Sequence, residues 1–299
     1  MRRLPLVVAV LGYCWGGSAL ADASAASADD LRDRETRPCI ACHAAISQTF
    51  AATRMARSAL GQTFRSEWHG QHSPAACLSC HAPSGDAGVV CADCHGVGGH
   101  PYPKLQVPQV CARCHDAPGE RTVQGFRASP AAALGQDCLD CHLPEGRAAS
   151  DHAFQGPTVP GFLDRVATIR LLLRHDSATA PVAVVQVTHR AGHALPGGTT
   201  GRSVWLIVSG LASDGAPVWS ERVRFGWEHP PEQGWQDRTL PPGRPAVLEL
   251  PQPGRHGAAR LHAELWYRFA PGDWSEPDPR ARRLDAAELA LPQDARALR

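Results

Sequence analysis

At 299 residues, with 30 Lys and Arg against 29 Asp and Glu, the chain is long enough for about two domains and carries almost no net charge. That balance gives no hint of the extended basic surface that nucleic acids select. The unusual feature is eleven cysteines, and their placement organises everything else.

In chain order, Arg2 and Arg3, the apolar run from Leu4 to Trp15 and the small residues Ala19-Leu20-Ala21 read as a secretory signal over 1–21. Cleavage near Ala21 would leave a periplasmic or secreted protein. The run is shorter than the about 20 apolar residues a membrane span requires, and no later segment qualifies, so no transmembrane segment is expected. Cys14 falls inside the signal, and Tyr13 before it does not suit a lipoprotein site. Residues 22–37, rich in Ala, Ser and Asp, read as a flexible leader.

The ten remaining cysteines form five C-x-x-C-H motifs: Cys39, Cys42 and His43; Cys77, Cys80 and His81; Cys91, Cys94 and His95; Cys111, Cys114 and His115; Cys138, Cys141 and His142. This is the attachment signature of haem c, in which two thiols bond the porphyrin and the next residue offers an imidazole to the iron. On one turn of helix, positions i, i+3 and i+4 share a face and can meet one ring. An exported chain with paired cysteines would otherwise suggest disulfides, and C-x-x-C pairs can hold zinc. Neither explains the histidines, whose chance occurrence after all five pairs, at this sequence's His frequency, is about one in three million. Five covalently attached haem c groups are expected, with His43, His81, His95, His115 and His142 as proximal ligands. The second and third motifs, packed between Cys77 and His95, should hold two haems side by side. Of the basic residues only Lys104 is a lysine. The arginines could pair with haem propionates, although a GC-rich genome would produce the same excess.

Residues 38–155 have few long apolar runs and could not build a sizeable core alone; porphyrins would supply the missing bulk, carried on short helices joined by loops. Gln155 to Pro160, carrying Gly156, Pro157 and Pro160, reads as a linker at the boundary. Beyond it the texture changes to short runs rich in β-branched and aromatic residues: Val166–Leu173, Val182–Thr188, Ser203–Leu211, Val218–Trp227, Ala246–Leu250 and Ala259–Phe269. The fold class is therefore mixed: a haem-packed region of short helices and loops, then an antiparallel immunoglobulin-like β-sandwich over 161–275. The tail 276–299 is charged and Ala/Leu-rich, the composition of a short helix packed on the sandwich.

What fills the opposite face of each iron decides between carrier and catalyst, since a second strong ligand makes an electron carrier and an open face a binding site. His100, beyond the loop Gly96-Val97-Gly98-Gly99, and His152, closing the region, are distal candidates. His72 is preferred to His69, though spacing does not separate them. Met55, the single methionine after signal cleavage, would raise a haem's potential as a ligand and otherwise fills core space. His189 and His193 share a Gly-rich stretch of the second domain, where a turn histidine is the plain alternative to ligation. His175, His229, His256 and His262 suit surface or core roles.

Phe50, Thr53, Met55, Ala56 and Ser58 after the first motif, Gly88-Val89-Val90 before the third with His100 after it, and Leu143-Pro144 with Asp151-His152 after the fifth form a pattern. It resembles the multihaem family typified by the tetrahaem cytochrome c that takes electrons from hydroxylamine oxidoreductase in nitrifying bacteria. Leu143 stands where that family more often has Met. Many such proteins append a β-sandwich with a Gly-His-x-hydrophobic-Pro-Thr-Gly loop; here Gly192-His193-Ala194-Leu195-Pro196-Gly197-Gly198 is followed by Arg202 and Trp205. Gly197 replaces the usual Thr, and His189 stands where Asn is common. The resemblance implies that His193 reaches an iron of the first region.

The expectation is an exported pentahaem cytochrome relaying electrons between redox protein partners, with no catalytic residue assigned. The alternative is a haem enzyme with one open iron acting on a small nitrogen or sulfur compound such as nitrite or hydroxylamine. Nitrite-reducing relatives often carry a proximal lysine, and C-x-x-C-K does not occur here. A third reading makes the sandwich a docking module.

Overall fold

A computed structural model describes residues 28–85, 87–96, 105–116, 120–143, 152–174, 181–198, 201–228, 234 and 236–292, with the side chains of the first helix described from Cys39 onward. Residues 1–21, including Cys14, and His100, His175 and His229 lie outside them.

The first region is a run of helices and loops: α1 Ala28–Ala51, α2 Gln62–Gly70, α3 Ala75–His81, α4 Cys91–His95, α5 Gln109–His115, α6 Thr122–Arg127, α7 Pro130–Ala133 and α8 Cys138–His142. Residues 28–37, expected as flexible leader, instead form the opening turns of α1. Once a helix is nucleated at the first motif, each further residue adds a hydrogen bond at small cost, so the helix extends backward into a sequence free of Gly and with Pro only at 38. Among the described residues no helix is long and apolar enough to cross a membrane.

The second region holds the strands β1 Ala167–Arg174, β2 Val182–His189, β3 Ser203–Leu211, β4 Pro217–Phe225, β5 Trp227–Glu228, β6 Gln236–Asp237, β7 Ala246–Pro251, β8 Arg260–Arg268 and β9 Arg282–Ala290. They form a three-stranded sheet β1-β2-β7, a four-stranded sheet β4-β3-β8-β9 and a small β5-β6 ribbon. Every pairing is antiparallel. Ala167, Ile169, Val185, Val187 and Leu250 of one sheet meet Val204, Leu206, Val208, Leu261 and Leu265 of the other in one apolar core. Alternation along each strand places these residues inward, as a half-buried strand requires.

The tail corrects the sequence reading. Residues 282–290 are not helical but form β9 on the outer edge of β8, in register from Arg260↔Ala290 to Tyr267↔Arg282 across a bulge at Leu265/Trp266. Ala and Leu favour a helix intrinsically, but β8 otherwise leaves a row of unpaired backbone groups, and pairing it outweighs a propensity of tenths of a kcal/mol per residue. Leu284, Ala287 and Leu289 pack on the core, and Asp285 Oδ2 accepts from the Ile169 amide at 2.7 Å, tying the two sheets together. The sandwich therefore runs past 275 to about residue 291.

Helices α6 and α7 lie against the 191–198 loop of the sandwich. A Cβ at Gly125 would stand 3.4 Å from Ala194 N and 4.0 Å from His193 Cα, so the two backbones touch. A cleft of about 450 Å³ lies further along the same junction, lined by Arg54, Gln62 and Thr63 on one side and Ala270 and residues 277–280 on the other.

Candidate haem sites

Four of the five motifs are short helices ending on their own histidine, α3, α4, α5 and α8; the first motif lies within α1, where His43 (φ −119°, ψ 43°) breaks the helix. One turn thus brings two thiols and an imidazole to one face, and the chain leaves the helix immediately afterwards. In α4 and α8 the third motif residue caps the helix start: Asp93 Oδ2 accepts from Val90 N, and Asp140 Oδ2 from Asp137 N, both at 2.7 Å. A carboxylate there meets amides left unpaired at a helix N-terminus.

The motifs are neighbours in space in an order the sequence does not follow. The Cys91 thiol lies beside that of Cys39, bringing the third motif to the first. Cys114 lies beside Cys80 and Cys111 beside Cys138, and Arg113 Nη1 donates to Asp93 O at 3.1 Å. The fourth motif therefore touches the second, fifth and third, and it is the junction of the group. The second and third, adjacent in sequence, are linked through their connecting segment by Ser84 Oγ on Asp93 Oδ1 at 2.5 Å.

Each motif imidazole has two nitrogens, and a partner on Nδ1 leaves Nε2 to a metal. His142 Nδ1 donates to Gln155 O at 2.8 Å and His81 Nδ1 to Ser58 O at 3.3 Å. Ser58 Oγ in turn donates to His81 O at 2.7 Å, and the Phe64 ring stacks on His81 at 4.0 Å between centroids. His115 differs: its Nδ1 meets a carboxylate, Glu120 Oε1, at 2.6 Å. The proximal set gains positioning residues that motif spacing could not identify, namely Ser58, Phe64, Glu120 and Gln155. Gln155 is notable because it lies in the stretch expected to be a free linker; its amide also donates to His142 O at 2.8 Å.

Two candidate distal histidines face motif histidines. The rings of His142 and His193 are 6.2 Å apart and 10° from parallel; those of His95 and His152 are 6.1 Å apart and tilted by 36°. Two metal–nitrogen bonds of about 2 Å, plus about 1 Å from each ring centre to its nitrogen, separate coaxial imidazoles by about 6 Å. His193 Nδ1 donates to Ala194 O at 2.8 Å, freeing Nε2, and a Cβ at Gly197 would lie 2.5 Å from His193 Cε1. Glycine at 197 thus gives the ring its place. His152 Nδ1 is buried without a hydrogen-bond partner, and Phe154 covers the ring edge-on at 6.1 Å. His189, at the end of β2, turns elsewhere: Nε2 bridges the carbonyls of Leu240 at 3.1 Å and Pro241 at 2.9 Å.

The other candidates are not drawn together in this way. His72 is exposed in the turn after α2 with φ 62°, and His69 is exposed with Nδ1 3.1 Å from Ser73 Oγ. Met55 is half-buried; its carbonyl accepts from Val89 N at 3.0 Å and Ser58 N at 3.2 Å. Gly88 permits that approach, because a Cβ there would lie 2.6 Å from Met55 O.

The residues fit the porphyrin the motifs imply. Burial holds His81, His95, His142 and His193 below the ordinary histidine value, so they are neutral at pH 7 as ligation requires. The hydrogen bond to Glu120 instead raises His115. Burial, with a neighbouring thiol, pushes Cys91 and Cys114 up to about 11, and burial also raises Cys94 and Cys141. Such thiols stay protonated, unlike the thiolates of a zinc centre. Among the described residues no three His, Cys, Asp or Glu side chains converge on one point. The ring separations of both pairs are those a metal held between two imidazoles would require.

No protein-family profile matches this chain, and no curated protein matches it either. Among solved structures it is similar to a penta-haem cytochrome c552 from Thermochromatium tepidum, with TM-score 0.63 and 18% identity, covering 87% of this chain and 100% of that one. The chain has the fold of that multihaem c-type cytochrome. A putative beta-galactosidase from Bacteroides fragilis also matches, at TM-score 0.19 and 13% identity over 42% of this chain and 17% of that one, too little to argue from. The cytochrome likeness spans more of the chain than either region contains, so helices and sandwich belong to one shared architecture.

Proposed function

We propose that the chain is an exported pentahaem c-type cytochrome that relays electrons between redox protein partners. The observation that carries this reading is the second imidazole: His193 opposite His142 at 6.2 Å and His152 opposite His95 at 6.1 Å supply the paired strong ligands of a carrier. The haems would be held by Cys39 and Cys42, Cys77 and Cys80, Cys91 and Cys94, Cys111 and Cys114, and Cys138 and Cys141. His43, His81, His95, His115 and His142 are their proximal ligands. Haem supplies one-electron chemistry; the protein fixes the ring nitrogens, grades their donor strength and excludes water. The thiol contacts between motifs support close packing of the centres. Met55, His72 and His100 remain the proposed distal ligands elsewhere.

The sandwich reads as immunoglobulin-like, supported by its strand order. With β1, β2 and β7 as A, B and E, and β4, β3, β8 and β9 as C′, C, F and G, the two sheets follow that topology without a D strand. It is part of the redox unit through His193 rather than an appended docking module. Export rests on the signal read over 1–21.

The mature protein should weigh more than its polypeptide by five haems, and its resting spectrum should be low-spin. His193→Ala should turn one haem of the five high-spin. A mass short of five haems overturns the proposal. A high-spin resting signal with turnover of nitrite or hydroxylamine would replace it with the enzyme reading.

A further inference from the structure

Of the motif histidines with a resolved Nδ1 partner, His81 and His142 donate to the backbone carbonyls of Ser58 and Gln155. His115 alone among these three donates to a carboxylate, Glu120 Oε1, at the shorter distance of 2.6 Å. Glu120 is itself fixed: Thr122 Oγ1 donates to the same oxygen at 3.3 Å. The Arg202 guanidinium of the sandwich stands nearby, across Gly198 (φ +86°), where a Cβ would lie 3.2 Å from Arg202 Nη1 and 4.0 Å from Glu120 Oε1. A carboxylate in hydrogen-bond contact with an imidazole N–H and with a guanidinium nearby carries its ordinary negative charge at neutral pH.

A hydrogen bond to an anion is shorter and roughly twice as strong as one to a neutral acceptor. On a metal-ligating imidazole it draws the Nδ1 proton outward, leaves more electron density on Nε2 and makes a more basic ligand. A more basic ligand favours ferric over ferrous iron, because the oxidised ion gains more from donated charge.

We infer that Glu120 is a positioning residue for the centre at His115, orienting the ring and setting that centre at a lower reduction potential than the centres at His81 and His142. The consequence follows from where His115 lies. Its motif touches three others through Cys114–Cys80, Cys111–Cys138 and Arg113–Asp93. A low potential at the junction keeps electrons on the outlying centres, and they cross the junction without resting there. Arg202 makes the setting dependent on the sandwich, since a cation beside Glu120 moderates the negative charge that reaches the imidazole.

This rests on the reading of His115 as a haem ligand, and the test separates the two. Full-length wild type, Glu120→Gln, Glu120→Asp and Arg202→Gln are each weighed for haem content, peptide-mapped at the fourth motif and titrated spectroelectrochemically. With five haems present, Glu120→Gln should raise one potential, that of the fourth centre, by tenfold in the reduced-to-oxidised ratio at fixed potential, about 59 mV for one electron. Glu120→Asp, which keeps the carboxylate, should lie nearer wild type, and Arg202→Gln should move the same centre downward. Five haems with all potentials unchanged in Glu120→Gln overturn the inference while leaving the haem reading intact. If Glu120→Gln fails to mature, Arg202→Gln decides: a fall at one centre supports the inference and no change overturns it. Absence of haem from the fourth motif in wild type overturns both.

Discussion

From Leu163 onward the apolar side chains of two sheets bury one another, with Val185, Leu261 and Leu265 wholly inaccessible and nineteen buried residues joined in one cluster. Between Phe50 and Leu143 the buried side chains, such as Phe50, Ala56, Val90, Val123 and Phe126, belong to no cluster of comparable extent among the described residues. Burial is the dominant favourable term in folding, at about 25 cal/mol per Å² of apolar surface. The sandwich obtains it from its own residues. The helical region has no comparable cluster of its own, so its stability is expected to depend on attachment of the porphyrins its motifs imply.

The largest test of that contrast removes one attachment point. Cys111→Ser with Cys114→Ser should cost a haem by mass and open much of residues 39–143 to limited proteolysis, because the fourth motif joins three others. The β-sheet signal in far-UV circular dichroism should persist; equal loss in both regions would break the contrast. Next, Leu265→Ala removes a side chain at the centre of the sandwich core and should destabilise that region by about 2–5 kcal/mol in denaturant unfolding, with haem content unchanged. Gly88→Ala acts on the haem side without touching a motif. Its Cβ would collide with Met55 O at 2.6 Å and Ala56 O at 2.7 Å, and the required shift should cost about 1–3 kcal/mol, seen as earlier thermal loss of the haem visible spectrum.

The smallest effect sits at the end of β2. Burial keeps the His189 imidazole below its ordinary pKa, with Nε2–H on two carbonyls and Nδ1 buried without a partner. As pH falls below about 6.5 the unfolded chain takes up a proton that the native state resists, so this contribution is complete above that pH and erodes below it. His189→Asn, whose amide can still donate, should flatten the decline in thermal stability between pH 7 and pH 5. An unchanged decline would assign it to other groups.

The motifs were legible because their spacing is local, and the structure places each Cys-x-x-Cys on a turn of helix. Six strands were legible from the alternation of runs such as Val182–Thr188 and Ala259–Phe269, which lie within two residues of the observed strands. Misread segments were those whose state depends on distant partners. Residues 282–290 have a helical composition and become a strand because β8 has a free edge. Gln155 looked like linker and instead holds His142, thirteen residues away, an anchor that no local pattern encodes.

The sequence by itself determined how many haem-attachment motifs the chain carries, which residues compose them and where helical texture gives way to sheet, since all of these depend on neighbours a few positions apart. Only the tertiary structure decided which imidazoles face one another, that the fourth motif rather than the Cys77–His95 stretch is the junction, and that His115 alone of three resolved histidines meets a carboxylate. Those are contacts between residues as far apart as His142 and His193, and they depend on how two independently patterned regions pack, which spacing along the chain does not specify.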